Sequence, residues 1–204
     1  YSSLASFANI CTYKFSFCFM EKIDGYVVLV DTHNKVLGTA PKLVIHNSNT
    51  PLHRGFSVFL FNKKRELLLQ QRSHAKKTFP LIWSNSVCGH PMLNESNVQA
   101  AKRRLSYELG IDNVEIFEVI PDYRYKVGMN NIYENEICPV LIGFTDKKPV
   151  VNKDEIENIR YLPWQEFLKE IEEKEKVYSL WSKEEAKLLA KNKKFIKFYR
   201  QYAS

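Results

Sequence analysis

The sequence predicts an α+β sandwich of one domain, with a mixed sheet and flanking helices. Three observations predict it. Short β-branched and aromatic runs outnumber helical patterns, the helical patterns fall between groups of strands, and no internal repeat or Gly/Ser-rich linker divides the 204 residues. At 45% hydrophobic and 26% charged residues, the composition supplies a core and is neither that of a disordered nor of a fibrous chain.

The elements follow in order. Tyr26-Val-Val-Leu-Val-Asp31 reads as a buried strand, Asp31–Lys35 as a turn, and Val36–Thr39 as a second short strand. Lys42–Asn47 reads as a helical turn or a loop, and Asn47-Ser-Asn-Thr-Pro51 as a loop. Phe56–Phe61 and Glu66–Arg72 form a hairpin about the turn Asn62–Arg65, and Pro80 to Pro91 is read as irregular. Asn94-Glu-Ser-Asn97 offers cap residues for a helix in which Val98, Ala101, Leu105 and Leu109 recur at helical spacing and Gly110 is the stop. Strands are expected at Val114–Val119, Tyr123–Val127, Ile132–Ile142 and Glu157–Leu162. Pro163 opens a second helix, and residues 182–203 are expected to form a third with Lys-rich faces. Residues 1–19, rich in Ser and aromatic residues, lack the pattern of a signal peptide and are expected to be a disordered or mis-assigned arm ahead of a domain spanning 20–204.

The net charge of +7 suits an anionic partner, whether nucleic acid, membrane surface or phosphorylated small molecule, but a Lys-rich surface with no such partner reaches the same charge. Cys11, Cys18, Cys88 and Cys138 form no Cys-x-x-Cys pair, which argues against a zinc knuckle and suits a reducing, cytoplasmic setting. No run of about eighteen apolar residues exists, so no membrane-spanning helix is expected.

The chemistry-bearing residues are His46, His53, Cys88, His90, Glu134 and Glu136. Cys88 and His90 are two apart, as are Glu134 and Glu136, and in extended chain such pairs face the same side. Three imidazoles and two carboxylates make an N/O set suited to Mn²⁺, Mg²⁺ or Zn²⁺, with octahedral geometry more natural than a closed tetrahedron. The bland alternatives are satisfied histidines and a solvated Glu face. His33 and His74 lie in turns and are read as surface residues, and Cys138 as a small buried one.

A second pattern is more specific. Gly89, Glu95, Arg103, Glu108 and Gly110 fall in the register Gly-x5-Glu-x7-Arg-x4-Glu-x-Gly. It resembles the Nudix box, a loop–helix–loop that holds Mg²⁺ against a diphosphate. A hydrolytic box has Glu where this chain has Arg104 and Tyr107, so the resemblance implies the fold, a Nudix-like α/β/α sandwich, and argues against hydrolysis. Glu95 is expected to cap the helix.

Together with Leu52-His-Arg-Gly-Phe-Ser57, Trp83–Pro91, Arg103–Gly110, Pro121-Asp-Tyr-Arg-Tyr125 and Glu134–Pro139, the pattern resembles the type 1 isopentenyl-diphosphate isomerases over residues 22 to 200 or so. The resemblance implies that His46, His53, His90, Glu134 and Glu136 hold one metal, Mn²⁺ or else Mg²⁺ or Zn²⁺. It implies that Glu108 and the backbone carbonyl of Cys88 attend a Mg²⁺ that accompanies the diphosphate. It makes Cys88 and Glu136 the acid/base pair and places Tyr125 beside the catalytic carboxylate. Trp181 then lies over the hydrocarbon end of the substrate, and Lys42, Arg72, Lys76 and Arg104 lie around its diphosphate. The chain departs from the family at Leu180, where Pro is expected.

These residue types suit the reaction. An alkene is a poor base, so its protonation passes through a tertiary carbocation-like species, and an acid and a base on opposite faces are needed. An indole face, Trp181 or Trp83, stabilises such a cation by about 0.5–2 kcal/mol, although core packing explains either one as well. The expected partner is isopentenyl diphosphate, without nucleic acid or membrane, for a monomer or weak dimer. The alternatives are a Nudix diphosphohydrolase acting on a nucleoside or coenzyme diphosphate and a basic nucleic-acid-binding module.

Overall fold

The computed structural model describes residues 25–174 and 176–202. The expected arm at 1–19, with Cys11 and Cys18, lies outside the described residues. Strands β1 (Tyr26–Val30), β2 (Val36–Pro41), β3 (His53–Arg54), β9 (Arg124–Met129) and β10 (Ile132–Ile137) form a five-stranded sheet in the order β2-β1-β3-β10-β9. Strands β4 (Phe56–Phe61), β5 (Glu66–Arg72), β8 (Ile116–Ile120), β11 (Val140–Phe144) and β12 (Ile156–Pro163) form the larger sheet in the order β12-β5-β4-β11-β8. Two short strands extend it, β6 (Trp83–Ser84) on β5 and β7 (Val87–Gly89) on β4.

The larger sheet is covered on both faces, as alternation along β4 dictates. Phe56, Val58 and Leu60 pack with Ala101, Leu105 and Leu109 of α2 (Asn97–Leu109). Phe59 and Phe61 point the other way, to Trp164 and Phe167 of α3 (Trp164–Glu173), Trp181 and Leu189 of α4 (Leu180–Leu189) and Phe195 of α5 (Lys193–Tyr202). Each such fully buried side chain contributes about 1.5–3 kcal/mol of transfer free energy. The expected α/β/α sandwich is what forms.

Local signals set the ends of α2. Ser96, not Glu95, is the N-cap, in a capping box with Gln99, and Gly110 closes the helix in the left-handed conformation at φ 61°. Three expectations are corrected. The run Ile132–Ile142 is two strands, because Cys138-Pro139 breaks the ladder and carries the chain from the small sheet to the large one. The segment expected as one helix over 182–203 is two: Asn192 donates to the carbonyl of Val119 and its side-chain oxygen accepts from Phe195 N, starting α5 afresh. Pro80–Pro91 contains β6 and β7. A short α1 (Lys42–Ile45) settles the ambiguity before Asn47.

The chain crosses between sheets at two neighbouring places, Gly55 between β3 and β4, and Cys138-Pro139 between β10 and β11. β3 runs parallel to β10 and β4 parallel to β11, and Gly55 N donates to the carbonyl of Ile137 at 2.9 Å while Ser57 N donates to that of Pro139 at 3.0 Å. The site lies at this double crossing, where His53 and Glu136 are cross-strand partners and a Cβ on Gly55 would meet the Glu136 carboxylate.

Candidate metal and active site

Strand register brings the metal-ligating candidates together. His53 on β3, Glu136 on β10 and Tyr125 on β9 are cross-strand partners in one row. Glu134 lies two residues from Glu136 on the same face. α1 and its C-terminal His46 close over this row, and β7 brings Cys88 and leads into His90. The imidazoles gather with ring centroids 5.2–5.9 Å apart. One donor atom from each of His46, His53, His90 and Glu134 lies within 4.8 Å of the others. Glu136 adjoins this quartet, 2.9 Å from His90 Nε2 and 3.5 Å from His53 Nε2.

Several features fit this group to a divalent cation. The carbonyls of Lys42 and Pro51 lie 2.7 and 2.9 Å from the Nδ1 atoms of His46 and His53, which fixes these rings with Nε2 inward. His46 Nε2 and Glu134 Oε2 lie 2.9 Å apart, yet both, with His53 Nε2, are buried atoms without a hydrogen-bond partner. Buried polar atoms are rarely left so, and convergence of three on one point is what a cation would satisfy. Burial opposes ionisation of Glu136, but the neighbouring imidazoles of His53 and His90 outweigh it and hold the carboxyl well below the usual range. Burial, then the charge of Lys42, lowers His90 to about 4, so it offers a neutral imidazole.

Beside this group is a cavity of about 590 Å³. Its lining includes Lys42, Arg72, Lys76 and Arg104, the four residues expected around the diphosphate. Burial, then the charges of Arg104 and Lys76, lower Lys42 to about 8. Arg104 is bonded to Glu108 at 2.7 Å and to Glu155 at 2.8 Å, and Lys76 also pairs with Glu155. Glu108 and Arg104 share the buried face of α2 at i,i+4. Burial raises the Glu108 carboxyl. Arg72 donates to the carbonyls of Thr78 and Phe79, and its guanidinium lies 5.9 Å from the Trp181 ring centroid.

Cys88 and Glu136 line the same cavity. The Tyr125 hydroxyl donates to Glu136 Oε2 at 3.1 Å. The Cys88 thiol is 3.1 Å from Asn85 Oδ1 and 3.5 Å from Ser57 Oγ, and burial, then the Glu185 carboxyl, pushes it up to about 12. Trp181 forms a wall of the cavity. Its Nε1 donates to Ser84 Oγ at 3.0 Å and its ring lies 5.5 Å from that of Tyr125. Trp83 is not in the lining; it stacks under Arg160, 4.8 Å away. Of the two indoles, Trp181 is therefore the one at the site.

Glu95 has a different position from the one expected. It accepts from Arg103 at 2.8 and 2.9 Å, and Arg103 also donates to the carbonyl of His90, so the pair clamps the loop that carries His90. His33 is exposed and His74 pairs with Glu157 at the surface, as expected. Cys138 is buried. Sequence reasoning missed Ser57, Glu155 and Glu185. Glu155 follows the Asn-Lys-Asp of an exposed loop and Glu185 lies in a Lys/Glu-rich helix, so neither carries a local signal; β12 and α4 bring them in from 47 and 77 residues after Glu108.

A NUDIX domain model matches residues 51–181. The chain is 40% identical over 146 residues to the isopentenyl-diphosphate Delta-isomerase of Saccharopolyspora erythraea, covering 71% of this chain and 75% of that protein. It is 38% identical over 157 residues to the protein of the same name from Escherichia coli strain CFT073, covering 76% and 86%. Among solved structures, the DR0079 protein of Deinococcus radiodurans superposes with a TM-score of 0.64 at 18% identity, over 79% of this chain and 97% of that one, a likeness of fold.

Proposed function

This chain belongs to the NUDIX domain family and, within it, to the isopentenyl-diphosphate Delta-isomerases, and on that premise we propose that it converts isopentenyl diphosphate to dimethylallyl diphosphate, for isoprenoid biosynthesis. The observation that carries the proposal is the joint lining of one cavity by Cys88 and Glu136, by His46, His90 and Glu134 of the His/Glu cluster, and by the Lys/Arg cluster. A hydrolase would be expected to carry a carboxylate at 104 and at 107; here Arg104 turns its charge toward Glu108 and Glu155, and Tyr107 lies 5.0 Å from it as a ring.

In this reading Lys42, Arg72, Lys76 and Arg104 bind the diphosphate, with Arg as a fork and Lys as a point charge. Glu108 and the backbone carbonyl of Cys88 would hold the Mg²⁺ that accompanies it. His46, His53, His90, Glu134 and Glu136 would hold the second ion, Mn²⁺ or else Mg²⁺ or Zn²⁺. When bound, that ion withdraws charge from the Glu136 carboxylate and makes its acid form a stronger proton donor. Glu136, in its acid form, gives a proton to the terminal CH₂ of the substrate, positive charge develops at the tertiary carbon, and Cys88, a thiol in this structure that acts as base once it has released its own proton, removes a proton from the carbon next to it. The bonding pair of that C–H becomes the new double bond. In reverse the two groups exchange roles.

The Tyr125 hydroxyl steadies the Glu136 carboxylate as its proton departs. Trp181 faces the hydrocarbon end, where its ring excludes water and stabilises the cation. The test is incubation of the purified protein with isopentenyl diphosphate and Mg²⁺, followed by proton NMR. Dimethylallyl diphosphate is the expected product. Release of phosphate or a monophosphate, with no double-bond shift, would point to a diphosphohydrolase and overturn the proposal.

A further inference from the structure

Lys76 and Arg104 stand on different segments, the loop after β5 and helix α2, and a residue that gives no group to the reaction joins them. Glu155, just ahead of β12, lines the same cavity. Its Oε2 accepts from Arg104 Nη2 at 2.8 Å and from Lys76 Nζ, so a single oxygen holds both cations. Main-chain bonds set it there. Val150 N and Asn152 N donate to the carbonyls of Leu109 and Glu108 at 2.7 and 2.9 Å, which moors this loop on the last turn of α2. Asn152 then turns the chain, its Oδ1 accepting from Asp154 N at 3.0 Å and its carbonyl from Glu155 N at 3.1 Å. The Glu155 carbonyl accepts from Ser73 N at 3.0 Å, and that of Ser73 accepts from Lys76 N at 3.1 Å. Ile156 is the cross-strand partner of Arg72. Both segments whose cations the side chain pairs are thus tied to Glu155 through main chain as well.

We propose that Glu155 is a positioning residue for the diphosphate, which fixes Lys76 and Arg104 relative to one another so that the anion meets donors already in place. The proposal rests on the diphosphate-binding part of the reading above. Arg104 is held twice, by Glu108 at 2.7 Å as well as by Glu155, whereas the Lys76 ammonium has no second hydrogen bond among the described residues. Glu155 therefore matters most to Lys76.

Two effects of opposite sign are at stake. A carboxylate repels an approaching anion, so its removal alone would tighten binding. Lys and Arg carry long side chains with many rotamers, and a cation released from its partner must be ordered again when the anion binds. Here two cations contact Oε2 and neutralise its charge at short range, so the repulsion is small. The ordering is not. With Gln at 155 the charge that holds Lys76 is gone, and the side chain gains N–H donors among other donors. The loss of order outweighs the relief of repulsion.

Wild type, Glu155→Gln, Lys76→Ala and the double variant test this. The probe is inorganic pyrophosphate with Mg²⁺, titrated calorimetrically once circular dichroism has shown each protein folded. Glu155→Gln should bind it about tenfold more weakly, the effect of ordering two long side chains, and in turnover should raise KM by a like factor with kcat within about threefold. In the Lys76→Ala background the same substitution should weaken binding by less than about threefold, because the side chain it chiefly orders is absent. Tighter or unchanged binding, a loss confined to kcat, or equal effects in both backgrounds would each overturn the proposal. The free wild type supplies a check that needs no Glu155 variant. Lys76 Nζ, assigned by its absence in Lys76→Ala, should show a higher NMR order parameter than exposed lysines such as Lys64. Equal mobility would overturn the proposal even if Glu155→Gln fails to fold. Pyrophosphate binding and Lys76 mobility are both read without turnover, so a protein that passes both and does not isomerise would defeat the functional reading alone.

Discussion

Replacing Tyr125 by Phe removes a single hydrogen bond from the proposed proton donor and little else. The hydroxyl donates to Glu136 Oε2 at 3.1 Å, and Glu136 is 6% exposed, so no bulk water stands ready to replace it. The ring itself stays anchored between Trp181 and Tyr123, with centroids 5.5 and 5.9 Å away, contacts that Phe keeps. A hydrogen bond to a charged acceptor contributes about 1.5–3 kcal/mol. At 3.1 Å the lower part of that range applies, and about 2 kcal/mol corresponds to roughly thirtyfold in rate. The bond strengthens as Glu136 gains negative charge during proton transfer, so the loss should fall on kcat and leave KM within about threefold. Steady-state kinetics over a range of isopentenyl diphosphate concentrations measures both. A kcat equal to wild type, or a loss confined to KM, would refute the placement of Tyr125 beside a carboxyl that changes charge in the reaction.

Cys88→Ala should abolish isomerisation while the melting temperature changes little, because the site is an open cavity wall; full retained turnover would remove Cys88 from the mechanism. His53→Ala should lose most of the Mn²⁺ found by elemental analysis in the wild type, and chelation by EDTA should inactivate the wild type reversibly; metal content and activity indifferent to both would reject the His/Glu site. Glu155 contributes to acid stability. Burial opposes its ionisation, but Arg104 and Lys76 outweigh this and lower it from 4.5 to about 2. A depressed carboxyl stabilises the fold above its unfolded value and loses that contribution as pH falls through the folded one, here at most about 3 kcal/mol between about pH 4.5 and 2. Urea unfolding of wild type against Glu155→Gln should show a difference in stability that narrows across that window, and a constant difference would contradict the pairing.

Much of the site was legible because it is written at short range. Glu134 and Glu136, or Cys88 and His90, are two apart in extended chain, so their joint facing follows from strand geometry. Arg104 and Glu108 share a helix face for the same kind of reason. What was illegible depends on contacts between distant segments. The apolar character of Ile132–Ile142 continues through Cys138-Pro139, so hydrophobicity gives no sign that the chain changes sheets there. The amphipathic pattern of 182–203 likewise runs across Asn192, whose capping role depends on a partner at Val119. β6 and β7, of two and three residues, are too short to show a period and exist because β5 and β4 offer edges to them. The family resemblance points to Trp181, yet residue type and local pattern do not separate it from Trp83; packing sets Trp181 at the cavity and Trp83 under Arg160. Glu155 and Glu185 look like solvated acids until β12 and α4 bury them.

The central claim is that one proton is added and another removed at opposite ends of the allylic unit, with Glu136 as the donor. Turnover of isopentenyl diphosphate in D₂O tests it directly, because the buried carboxyl must be recharged from solvent between cycles. Deuterium NMR of the dimethylallyl diphosphate formed should find deuterium in the methyl group generated from the terminal CH₂, and Glu136→Gln should form neither labelled nor unlabelled product. Product free of deuterium, or labelled product from Glu136→Gln at the wild-type rate, would contradict the mechanism.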